Sequence, residues 1–142
     1  MIVRIIAVGK LRERGLRAAL DDYLGRIRRH VRVEEVELRS DAGFERAIRE
    51  DELVVALEVN GDALTSEAFA RRLESWGSRG KGNIAFLIGG AEGIPRTVSA
   101  AAHHRLSLSS MTLPHRLARV LLAEQVYRGL SILRGEPYAR ED

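Results

Sequence analysis

Asn83-Ile84-Ala85-Phe86-Leu87-Ile88, running into Gly89-Gly90-Ala91-Glu92-Gly93-Ile94-Pro95, is the stretch whose reading decides the fold. After Asn83 every side chain of the run is apolar, so neither face suits water. That pattern predicts a strand covered on both sides, as in a parallel sheet. The glycines behind it predict a loop that can adopt positive φ and let a ligand approach the main chain. A second pair of the same kind follows, Leu106-Ser107-Leu108 and then Ser109-Ser110-Met111-Thr112-Leu113-Pro114. Loops that each follow a buried strand can meet at the carboxyl edge of an α/β sheet, where such folds bind ligands.

Outward from these loops, Ile2-Val3-Arg4-Ile5-Ile6-Ala7-Val8 predicts a buried strand closed by Gly9. Leu16, Leu20, Tyr23, Leu24 and Ile27 recur at helical spacing and predict a helix over about 12–29. Val31, Val33, Val36 and Leu38 mark a second strand, a short polar helix covers 44–49, and 53–59 forms a third strand. Asn60-Gly61-Asp62 is turn chemistry. Thr65-Ser66-Glu67 then opens a helix with Phe69, Leu73 and Trp76 on one face, ending within 77–82. Pro95 starts a short helix that runs to His103-His104, and the chain finishes with a strand at 106–108 and a helix over 115–134. Strands alternating with helices predict one α/β domain over 1–142, a mostly parallel sheet flanked by helices.

The closing helix carries Leu117, Val120 and Leu121 on one face, and Leu122, Val126, Leu130 and Leu133 on another. One apolar stripe suffices to seat a surface helix. A second stripe predicts a subunit interface, the alternative being a helix sunk in its own core. Within it, Glu124 stands four residues before Arg128 and is expected to form an ion pair with it.

The chain has 142 residues, a net charge of +3 and no cysteine, which excludes disulfides and thiolate metal sites. Of its 23 basic residues only Lys10 and Lys81 are lysines. Arginine suits phosphate recognition through its planar donor fork. The arginines are spread along the whole chain, as codon bias would also make them, so composition permits an RNA partner without requiring one. No apolar run approaches the ~18 residues of a membrane span, no leader pattern opens the chain, and a cytoplasmic location is expected.

Several familiar sites are disfavoured. The glycines at 89, 90 and 93 do not match the dinucleotide fingerprint, and no acid lies between Glu92 and Glu124. Gly77-Ser78-Arg79-Gly80-Lys81-Gly82 lacks phosphate-loop spacing and precedes its strand. His103 and His104 are neighbours that point apart on a helix, and neither His30 nor His115 belongs to a ligand cluster, so no metal is expected. The tail Gly135-Glu136-Pro137-Tyr138-Ala139-Arg140-Glu141-Asp142 has the composition of a frayed end. Yet Pro137 stiffens it, and Tyr138 with Arg140 offers a stacking surface and a phosphate or base contact.

Taken together, Leu87-Ile88-Gly89-Gly90-Ala91-Glu92-Gly93, the run from Leu106 to His115, the helix segment Arg119-Val120-Leu121-Leu122-Ala123-Glu124-Gln125-Val126-Tyr127-Arg128 and the tail Pro137-Tyr138-x-Arg140-Glu141 resemble the bacterial ribosomal large-subunit methyltransferase H family. The likeness covers essentially the whole chain, from Ile5-Ile6-Ala7-Val8-Gly9 onward. It implies a SPOUT-type α/β trefoil knot, a homodimer, and methylation of N3 of a pseudouridine in 23S rRNA of ribosomal particles with S-adenosylmethionine. Family cofactor contacts carry over to Leu57, Gly89, Gly90, Leu108, Ser109, Ser110, Met111, Thr112 and Leu113. Arg140 and Tyr138 are the expected catalytic pair, with Arg140 of one subunit's tail placed over the partner's cofactor. The chain departs from the family at Ala139, where a histidine is usual, and over 39–51, which is shorter and lacks lysines. A catalytically impaired RNA-binding relative is the alternative expectation; a small-molecule α/β enzyme is disfavoured because both phosphate fingerprints are missing.

Overall fold

A computed structural model describes residues 1–140, so Glu141 of the tail motif lies outside the described residues. Five strands form one sheet: β1 (Ile2–Val8), β2 (Arg32–Leu38), β3 (Glu52–Ala63), β4 (Asn83–Ile88) and β5 (His104–Ser107). Their order is β2-β1-β4-β3-β5, and every pairing is parallel. The apolar run 83–88 is thus the central strand. Its alternate residues serve two cores. Ile84, Phe86 and Ile88 pack with Ile5, Ala7 and Val55 on one face. Ala85 and Leu87 pack with Ile6, Val54 and Ala56 on the other.

The first core is roofed by α1 (Arg14–Ile27), α3 (Ser66–Gly77) and α5 (His115–Arg134), with α5 lying between the other two. The second is thinner, closed by α2 (Phe44–Ala47) and α4 (Arg96–Ala101) through Phe44 and Val98. Thr65 caps α3 by accepting the Ala68 N–H at 3.1 Å, as its position ahead of the apolar stripe suggested. Gly135 ends α5 in the left-handed conformation at φ 67°.

The closing helix sinks most of its second apolar stripe, and Val120 of the first, into its own chain. Val120, Leu122, Val126 and Leu130 are buried, whereas Leu121 and Leu133 remain 37% and 38% exposed. Own-chain packing therefore accounts for much of that helix's hydrophobicity, and the open apolar surface is a short patch around Leu117 and Leu121 together with Leu133 at the far end.

Two local expectations are corrected. Asn60-Gly61-Asp62 is not a turn but part of β3, which continues to Ala63. The reason is tertiary: β3 bends so that Leu57 and Asp62 both register with Leu106 of β5, and its end curls along that strand. A Cβ at position 61 would sit 2.7 Å from the Arg105 carbonyl carbon and from the Leu106 nitrogen, so glycine is there for close backbone approach. Likewise α4 stops at Ala101, and His103-His104 are not helical. The His103 N–H donates to the Val54 carbonyl at 2.9 Å and its Nδ1 accepts the Val54 N–H at 2.8 Å, which starts β5 against β3. His104 then stacks on Trp76 with ring centroids 5.2 Å apart. Leu108 lies beyond the end of β5.

Gly61→Ala is expected to cost about 1–3 kcal/mol through forced overpacking against β5. Gly25→Ala, inside α1 with nothing within 4 Å of its added Cβ, is expected to stabilise by about 0.5–1 kcal/mol. Urea denaturation midpoints check both signs.

Candidate functional site

The carboxyl ends of β3, β4 and β5 open into a cavity of about 510 Å³. Three pieces of chain wall it. The outgoing segment of β3 supplies Leu57, Glu58, Val59 and Asn60; the loop after β4 supplies Ile88, Gly89, Gly90, Ala91, Gly93 and Ile94; and the segment after β5 supplies Leu108, Ser109, Met111, Thr112, Leu113 and Pro114, with Leu106 behind them. His115 and Ala118 of α5 complete it. Of the nine residues singled out for a cofactor, all but Ser110 line this one cavity; Ser110 is exposed on the same loop.

The glycine loop is tight because main chain meets main chain. A Cβ on Gly89 would lie 2.4 Å from the Gly93 carbonyl carbon. The Gly93 N–H donates to the Gly90 carbonyl at 3.0 Å, and Gly93 itself has φ 78°, where a side chain is strained. The facing loop holds its own shape: the Ser107 hydroxyl donates to the Ser109 carbonyl at 2.9 Å, and the Ser109 hydroxyl accepts the Met111 N–H at 2.9 Å. Both walls therefore present backbone groups between apolar side chains, a surface for a flat, partly apolar ligand with a few polar edges.

Sequence reasoning missed Glu58, Asn60 and His115 as wall residues. Glu58 and Asn60 were hidden because the bend in β3 could not be read from a turn-like triplet. The His115 Nδ1 is buried without a hydrogen-bond partner. Burial pushes this imidazole below its ordinary 6.5, and the cations Arg116 and Arg119 push it further, so the side chain is neutral at pH 7.

Arg119, one helical turn on, is fully buried. It donates to Glu35 at 3.0 Å, to Glu37 at 2.6 Å and to the Gly9 carbonyl at 3.1 Å. Glu37 also accepts the Leu11 N–H at 2.8 Å. Burial alone would raise the Glu37 carboxyl, but the Leu11 and Arg119 donors outweigh it and hold the carboxyl below the ordinary value. This cluster clamps the first turns of α5, and with them one wall of the cavity, onto β1 and β2.

The expected catalytic pair lies elsewhere in the chain. Pro137–Arg140 forms a single 3₁₀ turn folded back on α5. There the Tyr138 hydroxyl donates to Glu124 at 2.8 Å, and its ring meets Tyr127 edge-on at 4.6 Å. Arg128 covers that ring at 5.0 Å and pairs with Glu124 at 2.8 Å, the ion pair expected from their spacing. Burial, then Tyr23 and Glu124, push the Tyr138 hydroxyl well above the ordinary phenol value, so it stays protonated. Arg140 is exposed. Glu124 and His115 are separated by roughly 14 Å of helix rise. The tail and the cavity of one chain are therefore not brought together.

A family model described as a predicted SPOUT methyltransferase matches residues 1–139. The ribosomal RNA large subunit methyltransferase H of Sorangium cellulosum is 53% identical over 148 residues, covering 95% of this chain and 97% of that one. Its counterpart in Anaeromyxobacter dehalogenans is 45% identical over 152 residues, covering 97% and 99%. Among solved structures, a probable methylase family protein from Haemophilus influenzae superposes with a TM-score of 0.65 at 12% identity, over 96% of this chain and 69% of that one. The SpoU methyltransferase AviRb from Streptomyces viridochromogenes, solved with AdoMet, gives 0.50 at 10% identity, over 88% and 56%. At such identities the likeness is one of fold. The parallel sheet and these neighbours define a SPOUT methyltransferase fold. Within that class, the chain belongs to the ribosomal RNA large subunit methyltransferase H family.

The neutral histidines make a pH prediction. His104, lowered first by burial and then by Arg72, and His115 both bind protons less readily folded than at the unfolded value of 6.5. On acidification the unfolded chain takes up those protons first, so stability falls as pH drops below about 6.5 and levels once the folded groups titrate. Urea midpoints at pH 8.0 and 5.5 are expected to differ in that sense, and the difference is expected to shrink in His104→Gln.

Proposed function

We propose that this protein transfers the methyl group of S-adenosylmethionine to N3 of a pseudouridine in 23S rRNA of the large ribosomal subunit, acting as a homodimer in the cytoplasm. The observation that carries the reading is the convergence of Leu57, the Gly89-Gly90 loop and the 108–113 loop on one cavity of about 510 Å³ in a chain of this family.

The residues present suit such a methyl donor. Leu57, Ile88, Leu108 and Leu113 offer apolar cover for an adenine, and Gly89 and Gly90 bare the main chain for its polar edge. Glu58 puts a carboxylate in the wall and the neutral His115 adds no positive charge, both favourable to a cationic sulfonium. When bound, the donor supplies a methyl carbon activated by the sulfonium. The chain's work is then to hold the acceptor nitrogen in line with it and to exclude water. The same reading includes a knotted topology at the C-terminal end of the chain.

The acceptor imide must give up its proton to solvent before N3 can attack. A nearby guanidinium favours the anion, as a cation lowers the pKa of any neighbouring acid. Arg140 fills that role in this reading, and Tyr138, protonated and held by Glu124, packs against the base. Because tail and cavity are far apart within one chain, the pair acts on a partner's cavity. The open patch of Leu117 and Leu121 supplies an apolar surface for that association.

Tritium transfer from S-adenosylmethionine to methyl-deficient ribosomes tests the reaction. Donor binding and RNA binding without turnover would instead identify a non-catalytic relative, the reading that Ala139 favours. Gly89→Val is expected to weaken donor binding by calorimetry at least about tenfold, since its side chain has no room against Gly93. Arg140→Ala is expected to slow transfer on the order of a hundredfold with donor affinity unchanged; a loss within twofold would remove its role. Mixing the two variants is expected to restore roughly a quarter of wild-type activity, because half the random pairs are mixed and each has one complete site.

A further inference from the structure

We propose that a second cleft, at the carboxyl ends of β1 and β2, is the groove that seats the sugar-phosphate backbone of the RNA next to the target nucleotide. The proposal rests on the methyltransferase reading for the identity of its ligand, but on separate residues for its existence. The cleft, about 460 Å³, is lined by the charged side chains of Lys10, Arg12, Arg39, Arg116, Glu13 and Glu37.

Its two acids are already engaged. Glu37 is bound by Arg119 and the Leu11 N–H, and Glu13 lies 3.3 Å from Arg116. Lys10, Arg12 and Arg39 have no ion pair among the described residues, although Arg4, Arg17, Arg26 and Arg119 on neighbouring elements are all paired. All three are exposed. Their grouping follows from backbone geometry. Gly9, at φ 88°, donates its N–H to the Leu38 carbonyl at 2.8 Å, which locks together the exits of β1 and β2. The next residues of the two exits, Lys10 and Arg39, therefore emerge side by side. Like charges placed together without counter-ions repel unless an anion lies between them.

The cleft is suited to phosphate rather than to a base. Apart from Leu38 its lining is polar, and no aromatic ring is available for stacking. Arginine forks and a lysine suit the repeated phosphates of a nucleic-acid strand.

Position links this cleft to the cofactor cavity. Strand order puts the cleft over β2 and β1 and the cavity over β4, β3 and β5, on the same sheet edge. Consecutive residues of α5 divide them, His115 in the cavity and Arg116 in the cleft. The strands involved are roughly 5–20 Å apart. A strand of RNA held by Lys10, Arg12 and Arg39 thus runs directly past the cavity mouth.

The test compares wild type with Lys10→Ala/Arg12→Ala/Arg39→Ala, with a charge-keeping Arg12→Lys/Arg39→Lys, and with Arg79→Ala/Lys81→Ala at the opposite sheet edge. Donor binding is read by calorimetry, binding to purified ribosomal particles by co-sedimentation over a salt series, and transfer as kcat and KM. The triple alanine variant is expected to keep donor affinity within about twofold while KM rises at least tenfold and kcat changes little. Its plot of log affinity against log salt is expected to flatten by about 2, near 0.7–0.9 for each phosphate no longer neutralised. The lysine-substituted and opposite-edge variants are expected to behave as wild type. An unchanged salt slope in the triple variant, or an equal loss in the opposite-edge pair, overturns the groove. If wild type binds particles but transfers no methyl group, the reaction reading fails while the slopes still judge the groove.

Discussion

The contact on which the site depends is main chain against main chain: Gly61 of β3 pressed onto Arg105 and Leu106 of β5. It lets one strand curl along another instead of turning away. The curl brings Leu57, Glu58, Val59 and Asn60 to the cavity and puts two residues of β3 opposite a single leucine of β5. Any side chain at position 61 would hold the two backbones apart. The same device recurs at Gly89 against Gly93, so both sides of the cavity are shaped by absent side chains. Such packing leaves little freedom to adjust, because packed backbone cannot choose another rotamer.

Around this frame the charges are distributed by depth. Among the described residues two arginines are buried, Arg4 against Glu52 and Arg119 against Glu35 and Glu37. Buried pairs of this kind add little net stability over apolar packing, but removing one partner is costly. Their effect is positional. Arg119 reaches across from α5 to the exits of β1 and β2, so the helix that closes the cavity is registered against strands on the far side of the sheet. Lys10, Arg12 and Arg39 stand just outside that clamp, at the surface.

The arrangement also separates what one chain can complete from what it cannot. The cavity belongs to the sheet edge and the start of α5, whereas Tyr138 and Arg140 belong to its middle and far end. α5 buries most of one stripe within its own chain and leaves Leu117 and Leu121 of the other open. The homodimer proposed above uses that patch and uses the distance.

Much was legible from the residues alone. The strand 83–88 is apolar at alternate positions on both faces, so its central place followed from period and composition, and the span of α5 was read to the residue. The ion pair of Glu124 with Arg128 follows from helical spacing. Local sequence determined these because each depends on neighbours a few residues away. Tertiary structure decided the rest. Asn60-Gly61-Asp62 has the chemistry of a turn and lies in a strand because β5, more than 40 residues later, needs room beside it. His103 and His104 left their predicted helix to pair with β3. His115, Glu58 and the depth of Arg119 emerged only when distant segments were placed side by side, since burial and pairing are properties of that assembly and leave no local signature.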